Sequence, residues 1–594
     1  MYQHVETSYA KCQTSDRYQD AGNDVSLAYA LLFSKKGLTL SATLCYNMSE
    51  SCYYIFQDGV EKLNKSFAYR TVMLLLAVCF VLAGCSAKQK SGGGASDELV
   101  LAVGAEPEDG FDPTTGWGRY GSPLFQSTLL KRDAQMKIQN DLAANGYEVS
   151  ADGTVWTIQL RRDAKFTDGK PVTAADVKFT FETAAGKGSV IDLTNMKSVE
   201  ATDEYTVRFT LKEPQSTFSA LLVSTGIVPK HAYGSDYKEK PLGSGPYKLV
   251  QWNKGQQIIV EANPDYYGKK PAFRKLTLLF LSEDAAYAAA KAKKVDVAYI
   301  PAAFSKQKVD GMHLESVQTV DNRGIQFPYV KAGTKTKEGY PIGNDVTADP
   351  AIRKAINLAL DRKALVQGVL EGYGTPAYTV NDGLPWYNPA AAFTDADVSG
   401  AKQMLADAGW KADSKDGILQ KGALKAQFTL VYPSGDVTRQ SLALAAADMI
   451  KPLGIQIDVQ GKSWDDIGKM MHANAVLMGW GSQDPLEMYN LYSSKYRGVE
   501  YYNAGFYSNP AVDEWMDKAL KAVRENEAME FWKKAQWDGK NGVGGMADAP
   551  YAWLVNINHL YLVKDGLDIG KQRIHPHGHG WPVTDNIEEW SWTK

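Results

Sequence analysis

"VSADGTVWTIQLRRDAKFTDGKPVTAADVKFTFE" runs from Val149 to Glu182, and its period changes midway. "VWTIQLR" alternates apolar and polar residues, as a half-buried strand does. Asp152-Gly153 and Asp168-Gly169 flank it as hairpin turns. "TAADVKFTFETAA" then takes up helical spacing, with Thr173 as N-cap and two acids close behind. Strand, turn and helix in one stretch make the fold mixed α/β.

The same alternation extends outward. "ELVLAVG" (Glu98 to Gly104) reads as the first strand and "YTVRFTLK" as another. "DPAIRKAINLALDRKALVQGVL" opens a helix at Asp349-Pro350, with Ile352, Ala355, Ile356, Ala359 and Leu360 on one face. "DVSGAKQMLADAGW" is a helix ending at Gly409. "SLALAAADMIKPLGIQIDVQ" reads as helix, turn, strand. In "GSGPY", Gly243 and Gly245 are expected to supply positive φ before Pro246 stiffens the exit. "NPDYYG" is a turn initiated by Asn263-Pro264. These features build scaffold.

The chain has 594 residues, 65 basic against 68 acidic, with a formal net charge of -3. That balance argues against a nucleic-acid surface. The 14 Trp and 32 Tyr suit a packed core and equally a cleft that stacks on a ligand.

All five cysteines, Cys12, Cys45, Cys52, Cys79 and Cys85, lie in the first 85 residues. The rest of the chain therefore holds no disulfide, no thiolate metal site and no cysteine nucleophile. "TVMLLLAVCFVLAG" (Thr71 to Gly84) is uncharged, follows Lys62, Lys65 and Arg70, and is too short for a comfortable membrane span. This is the layout of an export signal over residues 61–84; a buried apolar helix is the alternative. Leu82-Ala83-Gly84-Cys85 resembles the bacterial lipobox, which implies lipidation at Cys85. "SAKQKSGGGAS" follows as a flexible tether over residues 85–97. Residues 1–60 lie upstream of a signal that should begin the protein. They are expected to be an over-extended gene start, or else a cleaved leader, and disordered. About 510 residues remain after Cys85, too many for one core, so two lobes or more are expected.

Four blocks, in order, resemble the family 5 extracytoplasmic solute-binding proteins, the peptide- and nickel-binding receptors of ABC importers. They are Val149 to Glu182, "PLGSGPYKLVQWNKGQQIIVEANPDYYGKKPAFRKL" (Pro241 to Leu276), Asp349 to Ala377, and "AKQMLADAGW". The resemblance implies a two-lobed periplasmic-binding-protein-like clamp, class II, of the large type with an extra subdomain in lobe one. Lobe one would comprise residues 98–321 plus 550–594, and lobe two residues 322–549. The expected protein captures a small solute, an oligopeptide or a nickel chelate, outside the cell. It is a monomer, lipid-anchored on the extracytoplasmic face of the membrane, and needs no cofactor. Its partners are separate permease and ATPase chains, and no Walker A loop occurs here.

Two stretches are cleft candidates. "DPTTGWGRYGSPLF" (Asp112 to Phe125) presents Trp117, Arg119 and Tyr120 in a Gly-rich loop after the first strand, where α/β proteins place ligands. Arg119 suits a carboxylate, and the two rings suit stacking; a surface loop with an aromatic plug is the alternative. "LMGWGSQDPLEMYNLYSS" (Leu477 to Ser494) resembles the family's Gly-Trp, acid, Pro motif and offers Trp480, Gln483, Asp484 and Tyr489. In peptide-binding members, the residue three places after the Trp is an Asp that pairs with the peptide's amino group. Gln483 stands there, and Trp480 to Pro485 is shortened, closer to the nickel-binding branch. That branch has a His after Asp-Pro, where this chain has Leu486.

"RIHPHGHGWP" (Arg573 to Pro582) places His575, His577 and His579 at two-residue spacing, three of the chain's eight histidines. Imidazole suits nickel, zinc and copper, and extended spacing points alternate side chains to one face. A polar loop bonded to backbone is the alternative. A secreted hydrolase of peptides or esters is the competing class. It lacks support, with no His-Glu-x-x-His and no Gly-x-Ser-x-Gly.

Overall fold

Strand Glu98–Gly104 lies near the middle of a seven-stranded sheet, and everything else is arranged around that sheet and a second one. In this computed structural model, the described residues are 96–187, 191–412, 416–578 and 580–593. In the first of the chain's two units, Met1–Gly94, only the backbone pairing of Phe33–Ser34 with Gly37–Leu38 is described. The export signal, Cys85 and most of the tether lie outside the described residues. Among the described residues no helix is long and apolar enough to cross a membrane.

The first sheet runs Tyr247–Asn253, Gln257–Ala262, Lys275–Phe280, Glu98–Gly104, Val297–Ile300, His559–Lys564, Met312–Val317. Glu98–Gly104 pairs in parallel with both neighbours, and its buried Leu99, Leu101 and Val103 face the lobe's aromatic core. A separate four-stranded sheet, Glu148–Val149, Val155–Gln159, Thr206–Leu211, Met196–Ala201, carries its own core. With helix Ala174–Gly186 packed on it, this sheet forms the extra subdomain of lobe one. Helix Ala174–Gly186 starts as expected, and Asp176 accepts the Thr173 amide at 2.9 Å in a capping box.

The second sheet is six-stranded: Gly374–Pro376, Tyr551–Ile557, Asn322–Gln326, Ala475–Trp480, Gln427–Pro433, Gln456–Lys462. Strand Tyr551–Ile557 belongs to it, so the return to lobe one expected at residue 550 comes between Ile557 and His559. The run from Tyr551 to Lys564 has no Gly or Pro, and only the polar Asn556, Asn558 and His559 mark where it passes from one sheet to the other. The helix opened at Pro350 ends at Ala359, and a second spans Arg362–Val369. Asp361 interrupts it by capping the second helix, its carboxylate accepting the Ala364 amide at 2.8 Å.

Gly243 and Gly245 do not adopt positive φ. They are glycine because the chain passes against Leu124 and Phe125. A Cβ at Gly243 would lie 2.0 Å from the Phe125 carbonyl oxygen, and one at Gly245 2.5 Å from that of Leu124.

Three segments form the joint between the lobes. Residues 317–322 and 557–559 cross it, tied by the Ile557 amide to the Asp321 carbonyl at 2.8 Å. The C-terminal segment lies alongside: the His575 amide donates to Gln318 O and the Val320 amide to His575 O, each at 2.9 Å.

Candidate functional site

A cavity of about 960 Å³ lies between the lobes. Lobe one contributes residues 116–123, the end of helix Phe218–Ser224 and parts of the C-terminal segment; lobe two contributes Trp480 to Glu487, Asn490, Tyr496 and Tyr502.

The Gly-rich loop is held at its start by Asp112, which accepts the Thr114 amide at 2.9 Å. Trp117 donates from its indole to Pro123 O at 2.7 Å and stands edge-on to Phe111 and Trp581, with centroids 5.0 and 5.1 Å away. It is an aromatic plug that also lines the cavity. Arg119 lies over the Tyr120 ring at 5.1 Å and interacts electrostatically with Tyr502 and Glu487 of the opposite lobe. Burial disfavours its charge, but Tyr120, Tyr502 and Glu487 more than compensate and hold its pKa above the ordinary value.

On lobe two, strand Ala475–Trp480 ends with Trp480 stacked on Tyr502, centroids 5.6 Å apart. Gly481 takes φ +154° against Val320, whose carbonyl oxygen would lie 2.5 Å from a Cβ. The turn leads into helix Leu486–Tyr492, where Asp484 accepts the Leu486 amide at 2.9 Å. Gln483 donates to Ile574 O at 2.6 Å, and Arg132 of lobe one donates to Gln483 O at 3.1 Å. Gln483 thus ties the joint together. Tyr489, expected in the cleft, does not line the cavity. It is buried in the lobe-two core, and its hydroxyl donates to Asp517 at 2.7 Å. Helical spacing explains this: residues 486, 487 and 490 face the cavity, while 488, 489 and 492 face inward.

That spacing brings in Glu487, which the sequence reading missed. Its carboxylate accepts the Gly481 amide at 3.1 Å and the Ser482 amide at 3.0 Å. Burial pushes Asp484 up to about 6 and Glu487 up to about 7, against the pull of backbone donors and Arg119. Asn490 and Arg573 line the same cavity, and their buried Asn490 Oδ1 and Arg573 Nε have no hydrogen-bond partner in the protein.

His575 and His577, the two described histidines of this tract, do not share a metal face. His575 is buried with Nδ1 3.1 Å from His559 Nδ1, and its other nitrogen is 3.2 Å from Gln572 Oε1. Burial, His559 and Arg573 hold it neutral, well below its usual pKa. His577 instead bonds Asp321. The chain turns after Pro576, so the two rings serve different partners at the joint. His579 lies outside the described residues. Among the described residues no three His, Cys, Asp or Glu side chains are placed to hold a metal ion.

Two sheets joined by crossing strands, with a lined cavity between them, define a two-lobed clamp for a small solute. The chain belongs to the bacterial extracellular solute-binding proteins, family 5, matching that family over residues 137–501. It is 34% identical over 532 residues to protein XP55 of Streptomyces lividans, covering 86% of this chain and 93% of that one. It is 28% identical over 577 residues to the oligopeptide-binding protein AppA of Bacillus subtilis, covering 88% and 98%. Among solved structures, NikZ of Campylobacter jejuni with Ni(L-His) superposes with a TM-score of 0.69 at 26% identity, covering 84% of this chain and all of that one. AppA with a nonapeptide gives 0.63 at 26% identity, over 84% and 99%. The protein is therefore an extracytoplasmic substrate-binding component of an ABC importer and not an enzyme.

Proposed function

We propose that the cargo is a short peptide, held as a zwitterion between the two lobes. The observation that carries this reading is Glu487. It is a cavity-facing carboxylate poised on two backbone amides, beside Asp484 and opposite Arg119. A ligand ammonium is bound on the lobe-two side by Glu487 and Asp484. A ligand carboxylate is bound by Arg119 and stacked beside Tyr120. A cavity of about 960 Å³ is at the large end for small-molecule sites and suits a peptide of a few residues. The likeness to AppA, named as oligopeptide-binding, supports the same reading.

A nickel chelate is the second reading, favoured by the likeness to NikZ with Ni(L-His) and the shortened Trp480 to Pro485 spacing. In that case the metal arrives with its own chelator, and Arg119 holds the chelator's carboxylate. Mass spectrometry of ligand co-purified with the protein identifies the cargo. Calorimetry with di- to pentapeptides, nickel alone, and nickel with histidine separates the readings. Tight peptide binding in the presence of a metal scavenger sinks the chelate.

Anchoring at Cys85 belongs to the same proposal, supported by the lipobox-like Leu82 to Cys85 and the tether after it. Labelled palmitate is incorporated by the wild type and lost in Cys85→Ser; label retained in that variant sinks the anchor.

A further inference from the structure

Far from the joint, the lobes touch a second time. Helix Pro510–Lys521 of lobe two ends at Ala522, and its last carbonyls need donors, as at any helix end. Two of those donors come from lobe one. The Ser216 amide donates to Leu520 O at 2.7 Å, and the Ser216 hydroxyl donates to Ala519 O at 2.8 Å. Around them, Lys521 pairs with Glu213 at 3.2 Å. The Asp152-Gly153 turn lies against Val523, whose Cγ2 would sit 2.9 Å from a Cβ at Gly153. Ser216 lies one residue before Thr217, the N-cap of helix Phe218–Ser224, whose Ala220, Leu221, Val223 and Ser224 line the cavity.

We infer that Ser216 is a clasp: it caps a helix of the opposite lobe and so holds the two lobes together without touching ligand. The chemistry is specific. Both donors belong to one residue, both acceptors are carbonyls of one helix end, and the contact exists only when the lobes are near each other. The exposed Lys521–Glu213 pair adds little, because solvent screens it. The clasp sits at one end of a short helix whose other end is cavity wall, so lobe engagement and wall position are mechanically one unit. Such a device sets the resting population of the engaged state and hence the fraction of the protein ready to retain cargo.

The test uses the full chain with no ligand added. Hydrogen exchange should show the Ser216 amide protected. Ser216→Ala removes the hydroxyl donor and should speed exchange at residue 216 on the order of fivefold, as loss of one neutral hydrogen bond does. Ser216→Thr keeps the hydroxyl and should restore wild-type exchange. Strand Tyr247–Asn253, remote from the clasp, should exchange alike in all three. Ser216→Pro removes both donors and should enlarge the radius of gyration in small-angle scattering. An unprotected Ser216 amide in the wild type, unchanged exchange in Ser216→Ala, or an unchanged radius in a folded Ser216→Pro each overturns the clasp.

Discussion

His577 hydrogen-bonds Asp321 where the chain crosses from one lobe to the other. Asp321 is buried, and burial opposes its ionisation, yet Arg323 and His577 hold its carboxyl well below the usual range. The His559 ring approaches its second oxygen at 3.7 Å. Asp321→Asn leaves Arg323 with no buried carboxylate beside it. Breaking one partner of a buried pair costs about 3 kcal/mol, and urea unfolding should show a loss of that order. A carboxyl with a depressed pKa stabilises the fold above its ordinary pKa, and this is lost only as pH falls through the depressed value. The deficit of Asp321→Asn should therefore persist from pH 8 to pH 5. Equal midpoints at neutral pH would refute the role given to Asp321.

Glu487 carries the opposite sign. Burial raises its pKa to about 7, so the folded state keeps a proton that the unfolded state releases nearer the ordinary 4.5. Stability is lost as pH rises between those values, and the cost is fully present above about 7. Glu487→Gln should be more stable than wild type at pH 8, by about 3 kcal/mol, and indistinguishable below pH 4. For binding the sense reverses, because an ammonium selects the ionised carboxylate. Affinity for a short peptide should rise from pH 5.5 to pH 7.5 in the wild type, while Glu487→Gln should keep only the rise near pH 6 that belongs to Asp484. A flat wild-type profile in calorimetry would remove Glu487 from the site.

The fold was legible because its signals are local. The capping box at Thr173 and Asp176, the Pro-Leu-Gly turn ending at Gly454 with φ +78°, and the Gly409 helix stop each act within a few residues. The site was legible only in part. Arg119 and Trp480 stand in glycine-rich loops at strand ends, where pattern reading looks for ligands. Tyr489 was misplaced because the helical phase after Pro485 decides which side chains face the cavity, and that phase points Glu487 there instead. Tyr502 and Arg132 reach the site from segments with no motif; only the packing of one lobe on the other brings them in. His575 and His577 stand at extended spacing in sequence, yet Pro576 and the turn after it send their rings to separate partners.

Gly243 tests the close approach directly. A methyl there would meet the Phe125 carbonyl at 2.0 Å, and the obstacle is backbone. Gly243→Ala should destabilise lobe one by about 3 kcal/mol, as severe overpacking does. Gly169→Ala, at φ +86° with nothing within 4 Å of a Cβ, pays only for backbone strain, about 1 kcal/mol. Thermal unfolding of the pair should rank Gly243→Ala well below Gly169→Ala. The reverse order would place the constraint in φ after all.

Arg119 faces the cavity and interacts electrostatically with Tyr502 of the opposite lobe, so its loss has two separable effects. A charge-assisted contact to a ligand carboxylate is worth about 1.5–3 kcal/mol, so Arg119→Ala should weaken peptide binding on the order of tenfold to a hundredfold. Part of any loss arises from the interaction with the Tyr502 hydroxyl, and Tyr502→Phe measures that part alone, because it keeps the ring that stacks on Trp480. The ligand's contribution is isolated by comparing a tripeptide with its C-terminal amide in calorimetry. The wild type should prefer the free acid, and Arg119→Ala should lose that preference while Tyr502→Phe keeps it. If Arg119→Ala still prefers the free acid to the same degree, the carboxylate is held elsewhere and Arg119 serves only its interactions within the protein.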